Sequence, residues 1–91
     1  MSVDAVIFSI TSVRRSFERN PENFSLEGKR KLLLILDCMR DPLMEENIEG
    51  FNNYINSLLA REPDAADFVL EELFDELGIN TRDELNQLLE T

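Results

Sequence analysis

Apolar residues recur along this chain at helical steps. Val3, Val6, Ile7, Ile10, Val13 and Phe17 lie three and four residues apart and gather on one stripe, so the spacing predicts a first helix that Ser2 is placed to cap. Asn20-Pro21-Glu22-Asn23 reads as a turn, because proline restrains the residue before it and asparagine tolerates turn geometry. Ser25 or Asn23 is placed to cap a second helix, which opens on the basic Gly28-Lys29-Arg30-Lys31 and continues into Leu32-Leu33-Leu34-Ile35-Leu36-Asp37-Cys38-Met39. With one charge in that run, almost no polar face is left, which predicts a central helix buried on most sides. Asp37 falls near the angle of Arg30 and marks a narrow wet strip.

Asp41-Pro42 reads as a cap followed by a first-turn proline, which would end the second helix and start a third running to Ala60. Met44, Ile48, Phe51, Tyr54, Ile55, Leu58 and Leu59 share one sector of it, opposite Glu45, Glu49, Asn52, Asn53 and Asn56. Gly50 lowers helix propensity there and leaves room for a close neighbour. Pro63 belongs to the first turn of a fourth helix whose stripe is Ala65, Ala66, Val69, Leu70, Leu73, Phe74 and Leu77, with Asp64 and Asp67 near its N-terminus. Leu77-Gly78-Ile79 reads as a glycine stop, and Thr81 with Glu84 as a capping box opening a short last helix on Leu85, Leu88 and Leu89. No strand pattern, internal repeat or dividing linker interrupts this series. The expected fold is all-α, a single domain over residues 1–91: a compact bundle of four to five helices around a central apolar helix, Leu32 to Met39.

Charge adds a second pattern. The 91 residues carry 9 Lys and Arg against 19 Asp and Glu, with no histidine and a net charge of −10. Phosphate must be met by cations, so direct nucleic-acid binding is not expected, and the partner expected is a protein, with a basic one favoured by the acidic balance. The charge is also divided: Met1 to Arg40 holds seven bases and five acids, whereas Asp41 to Thr91 holds two bases and fourteen acids. These halves should attract each other, within one chain or between two.

The residue types exclude several chemistries. Without histidine and with Cys38 as the one cysteine, the common catalytic triads, zinc sites and internal disulfides are out of reach. The acids of Asp64 to Asp75 lack the alternating order of a calcium loop, and three scattered glycines build no phosphate cradle. No enzyme activity, cofactor or metal is therefore expected. The N-terminus lacks the basic flank and apolar core of a signal peptide, and no stretch approaches a membrane span, which together with the lone thiol predicts a cytoplasmic protein. Ser25-Leu26 at a helix start resembles the attachment site of acyl carrier proteins, but no Asp-Ser-Leu motif accompanies it and the helix that follows is basic, so Ser25 reads as a cap. Leu77-Gly78-Ile79-Asn80-Thr81 is similar to turns of helix-hairpin-helix and helix-turn-helix domains, yet the helix after it is acidic.

Two aromatic residues break their helical patterns. Phe8 falls among Asp4, Thr11, Ser12, Arg15 and Arg19 on the polar face of the first helix, and Phe68 falls with Asp64, Glu71, Glu72 and Asp75 on that of the fourth. Each is either a second-side core contact or an anchor in a binding surface, since aromatic residues ringed by charge are typical of interaction hot spots. The partner-binding set is therefore Phe8, Arg15 and Arg19 on one side and Asp64, Phe68, Glu71 and Asp75 on the other, meeting across the two-fold axis of a homodimer. The expected function is a non-catalytic, self-associating protein-binding or regulatory module. The alternative is an acidic mimic of nucleic acid that inhibits a DNA- or RNA-binding protein, which would need its carboxylates in spaced rows on one surface.

Overall fold

The computed structural model describes residues 2–19 and 25–90, with only the backbone of Ser2. Over that range the chain forms five helices: α1 Ser2–Arg19, α2 Leu26–Met44, α3 Ile48–Arg61, α4 Pro63–Leu77 and α5 Arg82–Glu90. No strand occurs among the described residues. The turn expected from Asn20 to Asn23, and with it Asn23 as a cap, lies outside them. Helix α1 packs against α2, α4 and α5, while α2 packs against α1, α3 and α4. A radius of gyration of 12.5 Å is close to the roughly 12 Å expected of one compact domain this long.

The stripes read from the spacing form the core. Val6, Ile10, Val13 and Phe17 of α1 meet Leu32, Ile35, Leu36, Met39 and Leu43 of α2; Phe51, Ile55 and Leu58 of α3 and Ala66, Val69, Leu70 and Leu73 of α4 complete it with Leu85 and Leu89. The run Leu32 to Met39 is less enclosed than its composition implies. Leu34 is 63% exposed, because α2 meets neighbours on one side only at that level. Asp37 is half-buried and accepts hydrogen bonds from Arg14 Nε at 2.9 Å and Arg40 Nη2 at 3.1 Å, so Arg14 of α1, not Arg30, sets its environment. That bond to Asp37 is the main reason the Arg14 pKa is raised.

The boundary between the second and third helices differs from the sequence expectation. Helix α2 runs through Pro42 to Met44, and α3 begins at Ile48. Near a helix end proline removes a single ladder bond, and continuing the helix places Leu43, 1% exposed, in register below Leu36 and Met39. Asp41 is consequently no cap, and Met44 leaves the core to stand 64% exposed. The chain reverses at Glu46, in the left-handed region at φ 59°, and Asn47 caps α3 by accepting a bond from Gly50 N at 2.9 Å. Gly50 thus makes room for its own cap and not for another helix: a Cβ there would lie 2.5 Å from Asn47 Nδ2.

This geometry couples the two positions. Asn47→Ala should cost about 1 kcal/mol through the lost cap. Gly50→Ala should gain about 1 kcal/mol of propensity while displacing the cap, for little net change. Adding Asn47→Ala to Gly50→Ala should then cost almost nothing further, which a double-mutant cycle of urea unfolding measures.

Three other ends follow their signals, whereas Ser2, expected as a cap, is itself the first residue of α1. Ser25 Oγ accepts from Gly28 N at 3.0 Å and caps α2. Lys29 Nζ donates to the Glu18 carbonyl at 2.7 Å, placing a cation at the C-terminal end of α1. Gly78 stops α4 at φ 71°, and Thr81 Oγ1 accepts from Glu84 N at 3.2 Å to open α5.

Candidate functional site

Two surfaces stand out, one basic and one acidic. The basic surface is the outer face of α1, directly opposite its core stripe. Helical steps of three and four bring Asp4, Phe8, Thr11, Ser12, Arg15 and Arg19 into one strip, flanked by Ile7 and Ser16. Phe8 is 73% exposed, the most exposed large apolar side chain among the described residues, so it is no second-side core contact. Arg15 and Arg19 lie along the same strip and make no ion pair among the described residues. The hydroxyls between Phe8 and Arg15 are already engaged. Thr11 Oγ1 donates to the Ile7 carbonyl at 3.0 Å, and Ser12 Oγ donates to Glu76 Oε1 at 2.9 Å.

The acidic residues of α4 separate into three places. Phe68 lies on the flank that faces α1, where its ring stacks on Phe17 at a centroid distance of 5.6 Å and an interplanar angle of 16°. Partly buried, it packs against the core at the α1–α4 contact. Asp64 stands at the N-terminal end of α4 in a shallow cleft with Lys31, Arg61 and Glu62. Glu71 and Asp75 lie on the opposite flank, where with Asp67 they edge an open groove of about 360 Å³. Its apolar wall is made by Leu59 of α3, Leu70 and Phe74 of α4, and Ile79 just past the glycine stop; Arg82 closes the far side. Arg82 is held there by Asn52 Oδ1 and Asn56 Oδ1, each at 2.9 Å, so the polar face of α3 fixes the start of α5.

The structure therefore brings Phe8, Arg15 and Arg19 together, keeps Glu71 with Asp75, and removes Phe68 and Asp64 from both groups. Asp67, Leu70, Phe74 and Ile79 enter as groove residues that the linear pattern did not single out. Their signal was present as acids at four-residue steps beside Leu70 and Phe74, but the groove itself is made only by how α3, α4 and the start of α5 come together.

Little of the divided charge is spent in ion pairs among the described residues. Among the described residues one ion pair, Lys31 with Glu62, joins a base of the first forty residues to an acid of the remainder; Arg14 pairs instead with Asp37 and Glu18, and Arg40 with Asp37. The bases also point to different structural tasks, Lys29 capping α1 and Lys31 meeting α4, which disperses them.

Cys38, half-buried on α2, lies beside Tyr54 of α3. Burial first, then the charge and hydrogen bond of that sulfur, push the Tyr54 phenol from 10.0 up to about 12. A folded-state value above the unfolded one stabilises the fold fully below pH 10.0, and that contribution is lost as pH rises toward about 12. Tyr54 is the single tyrosine and tryptophan is absent, so tyrosinate absorbance reads it directly. The midpoint should lie well above that of a free tyrosine, and Cys38→Ala should return it part of the way.

Among the described residues no group of three or more His, Cys, Asp or Glu side chains is arranged to hold a metal ion, and no helix is long and apolar enough to cross a membrane. Comparison with protein-family models, curated proteins and solved structures finds no match to this chain.

Proposed function

We propose that this protein is a non-catalytic protein-binding module that self-associates through the outer face of α1. The observation that carries this reading is Phe8, 73% exposed on a strip that also holds Arg15 and Arg19, neither of which makes an ion pair among the described residues. The strip is self-complementary when two copies of α1 run antiparallel about a two-fold axis between Thr11 and Ser12. Asp4 of each copy then faces Arg19 of the other, and Phe8 faces the stem and guanidinium of Arg15. Thr11 and Ser12 meet at the axis, where their internally bonded hydroxyls make desolvation cheap. Such an interface is isologous and closes as a dimer.

Its strength is bounded by its size. Burying Phe8 contributes roughly 1–2 kcal/mol per copy, well short of the about 8 kcal/mol of a micromolar complex, so the dimer is weak and concentration-dependent. Absolute mass by light scattering on a sizing column, taken across concentration at low and high salt, tests it. A dimer that forms with concentration and loosens modestly with salt is expected, since one ion pair per half accompanies an apolar anchor. A monomer under every condition overturns self-association.

Exposed carboxylates occur on all five helices, among them Asp4, Glu27, Glu49, Asp67 and Asp83. That dispersal favours a solubilising role over a phosphate-like array, and so favours protein binding over nucleic-acid mimicry. A cytoplasmic setting fits the lone thiol of Cys38.

A further inference from the structure

The groove between α3, α4 and α5 is a second surface, independent of the α1 face. Leu59, Leu70, Phe74 and Ile79 give it an apolar wall, whereas Asp67, Glu71 and Asp75 line its α4 edge at four-residue steps. On a helix those steps set the carboxylates about 6 Å apart along the axis and about 40° apart around it, in one slanting row. None of the three makes an ion pair among the described residues. An apolar wall of partly buried side chains beside a slanting row of like charges, with that helical spacing, is the complement of another helix.

We infer that this groove is the docking site for an amphipathic helix of another protein, one with apolar residues at three- and four-residue steps and Lys or Arg at four-residue intervals along one edge. The apolar wall supplies affinity, and the carboxylate row sets register and orientation. Arg82 on the far side makes the groove electrostatically lopsided, so the partner's second edge is polar or acidic. The α1 strip of a second copy does not meet this pattern. Its arginines number two, and Phe8 stands about two turns from Arg15, whereas the groove sets Phe74 level with Glu71 and Asp75. The occupant is therefore a different, basic chain, and a dimer joined through α1 would present two such grooves.

The test uses the full chain and a synthetic helical peptide of about three turns, with leucines on one face and lysines at four-residue intervals beside them. The control is a peptide of the same composition in scrambled order. Fluorescence anisotropy should show the patterned peptide binding at least about tenfold more tightly than the scrambled one, and backbone NMR shifts should move at Leu70, Phe74 and Ile79. Glu71→Lys combined with Asp75→Lys should weaken binding at least about tenfold; both positions are exposed, so circular dichroism should be unchanged. Phe8→Glu should leave peptide binding intact, separating this site from self-association. Equal binding of the two peptides, undiminished binding by the charge-reversed variant, or shifts confined to the Phe8, Arg15 and Arg19 face would each overturn the inference.

Discussion

Replacing Phe8 by glutamate is expected to dissociate the dimer proposed through α1 without disturbing the fold. The side chain is 73% exposed, so within the monomer it contributes little, and substitution should change stability by no more than about 0.5 kcal/mol. In the antiparallel pair it is removed twice. Two lost anchors of roughly 1–2 kcal/mol each correspond to a weakening of about 30-fold or more, read as a mass that stays monomeric under conditions where the proposed dimer of the parent chain forms. Orientation is tested by charge exchange: Asp4→Arg and Arg19→Asp should each weaken association slightly, and the two together should restore it. Only an arrangement that sets residue 4 against residue 19 of the other copy predicts that rescue. A loss of helicity in Phe8→Glu would instead assign the ring to the core, against its exposure.

The largest effect on stability is expected at Phe51, which is fully buried at the start of α3. Phe51→Ala removes a ring from the centre of the bundle and leaves a cavity that the surrounding helices fill only in part, at a cost of about 3–5 kcal/mol. A domain of this length has roughly 5–14 kcal/mol of stability in all, so the urea midpoint should fall by a large fraction while the slope stays constant. The contrast on α2 sharpens the test. Leu36→Ala, at a site with no exposure, should cost about 2–5 kcal/mol, whereas Leu34→Ala two residues earlier should cost about 0.5 kcal/mol or less. Similar losses at Leu34 and Leu36 would mean that the apolar run is enclosed on all sides after all.

That contrast also marks how far periodicity reaches. Apart from Met44, the stripes of apolar residues became inward helix faces, because a 3.6-residue repeat fixes which side chains share a side whatever lies next to them. The glycine stop at Gly78 and the caps at Ser25 and Thr81 were legible for the same local reason: their hydrogen bonds close within a few residues. Leu34 was not legible, since nothing in a run of leucines says on which side neighbours are absent. Pro42 misled in a related way. Its local preference for a first turn was overridden by the gain from seating Leu43 in the core, a contact made with residues distant in the chain.

The candidate surfaces divide along the same line. Phe8 with Arg15 and Arg19 could be read as one group from sequence because all three lie on one helix, and their geometry needs no other element. Phe8 and Phe68 looked alike as aromatic exceptions on charged faces. Tertiary packing separated them: α1 lies along the flank of α4 that carries Phe68 and covers it with Phe17, while nothing among the described residues covers Phe8. The groove is decided wholly by packing, because its walls come from three helices and Arg82 is held in place by Asn52 and Asn56, some thirty residues earlier in the chain. The amino-acid sequence by itself therefore determined the helices, their inward faces, the acidic balance and the α1 strip, all products of short-range periodicity and local hydrogen bonding. Only the tertiary structure decided which aromatic residue remained exposed and where a groove opened, since both depend on how helices distant in sequence sit against one another.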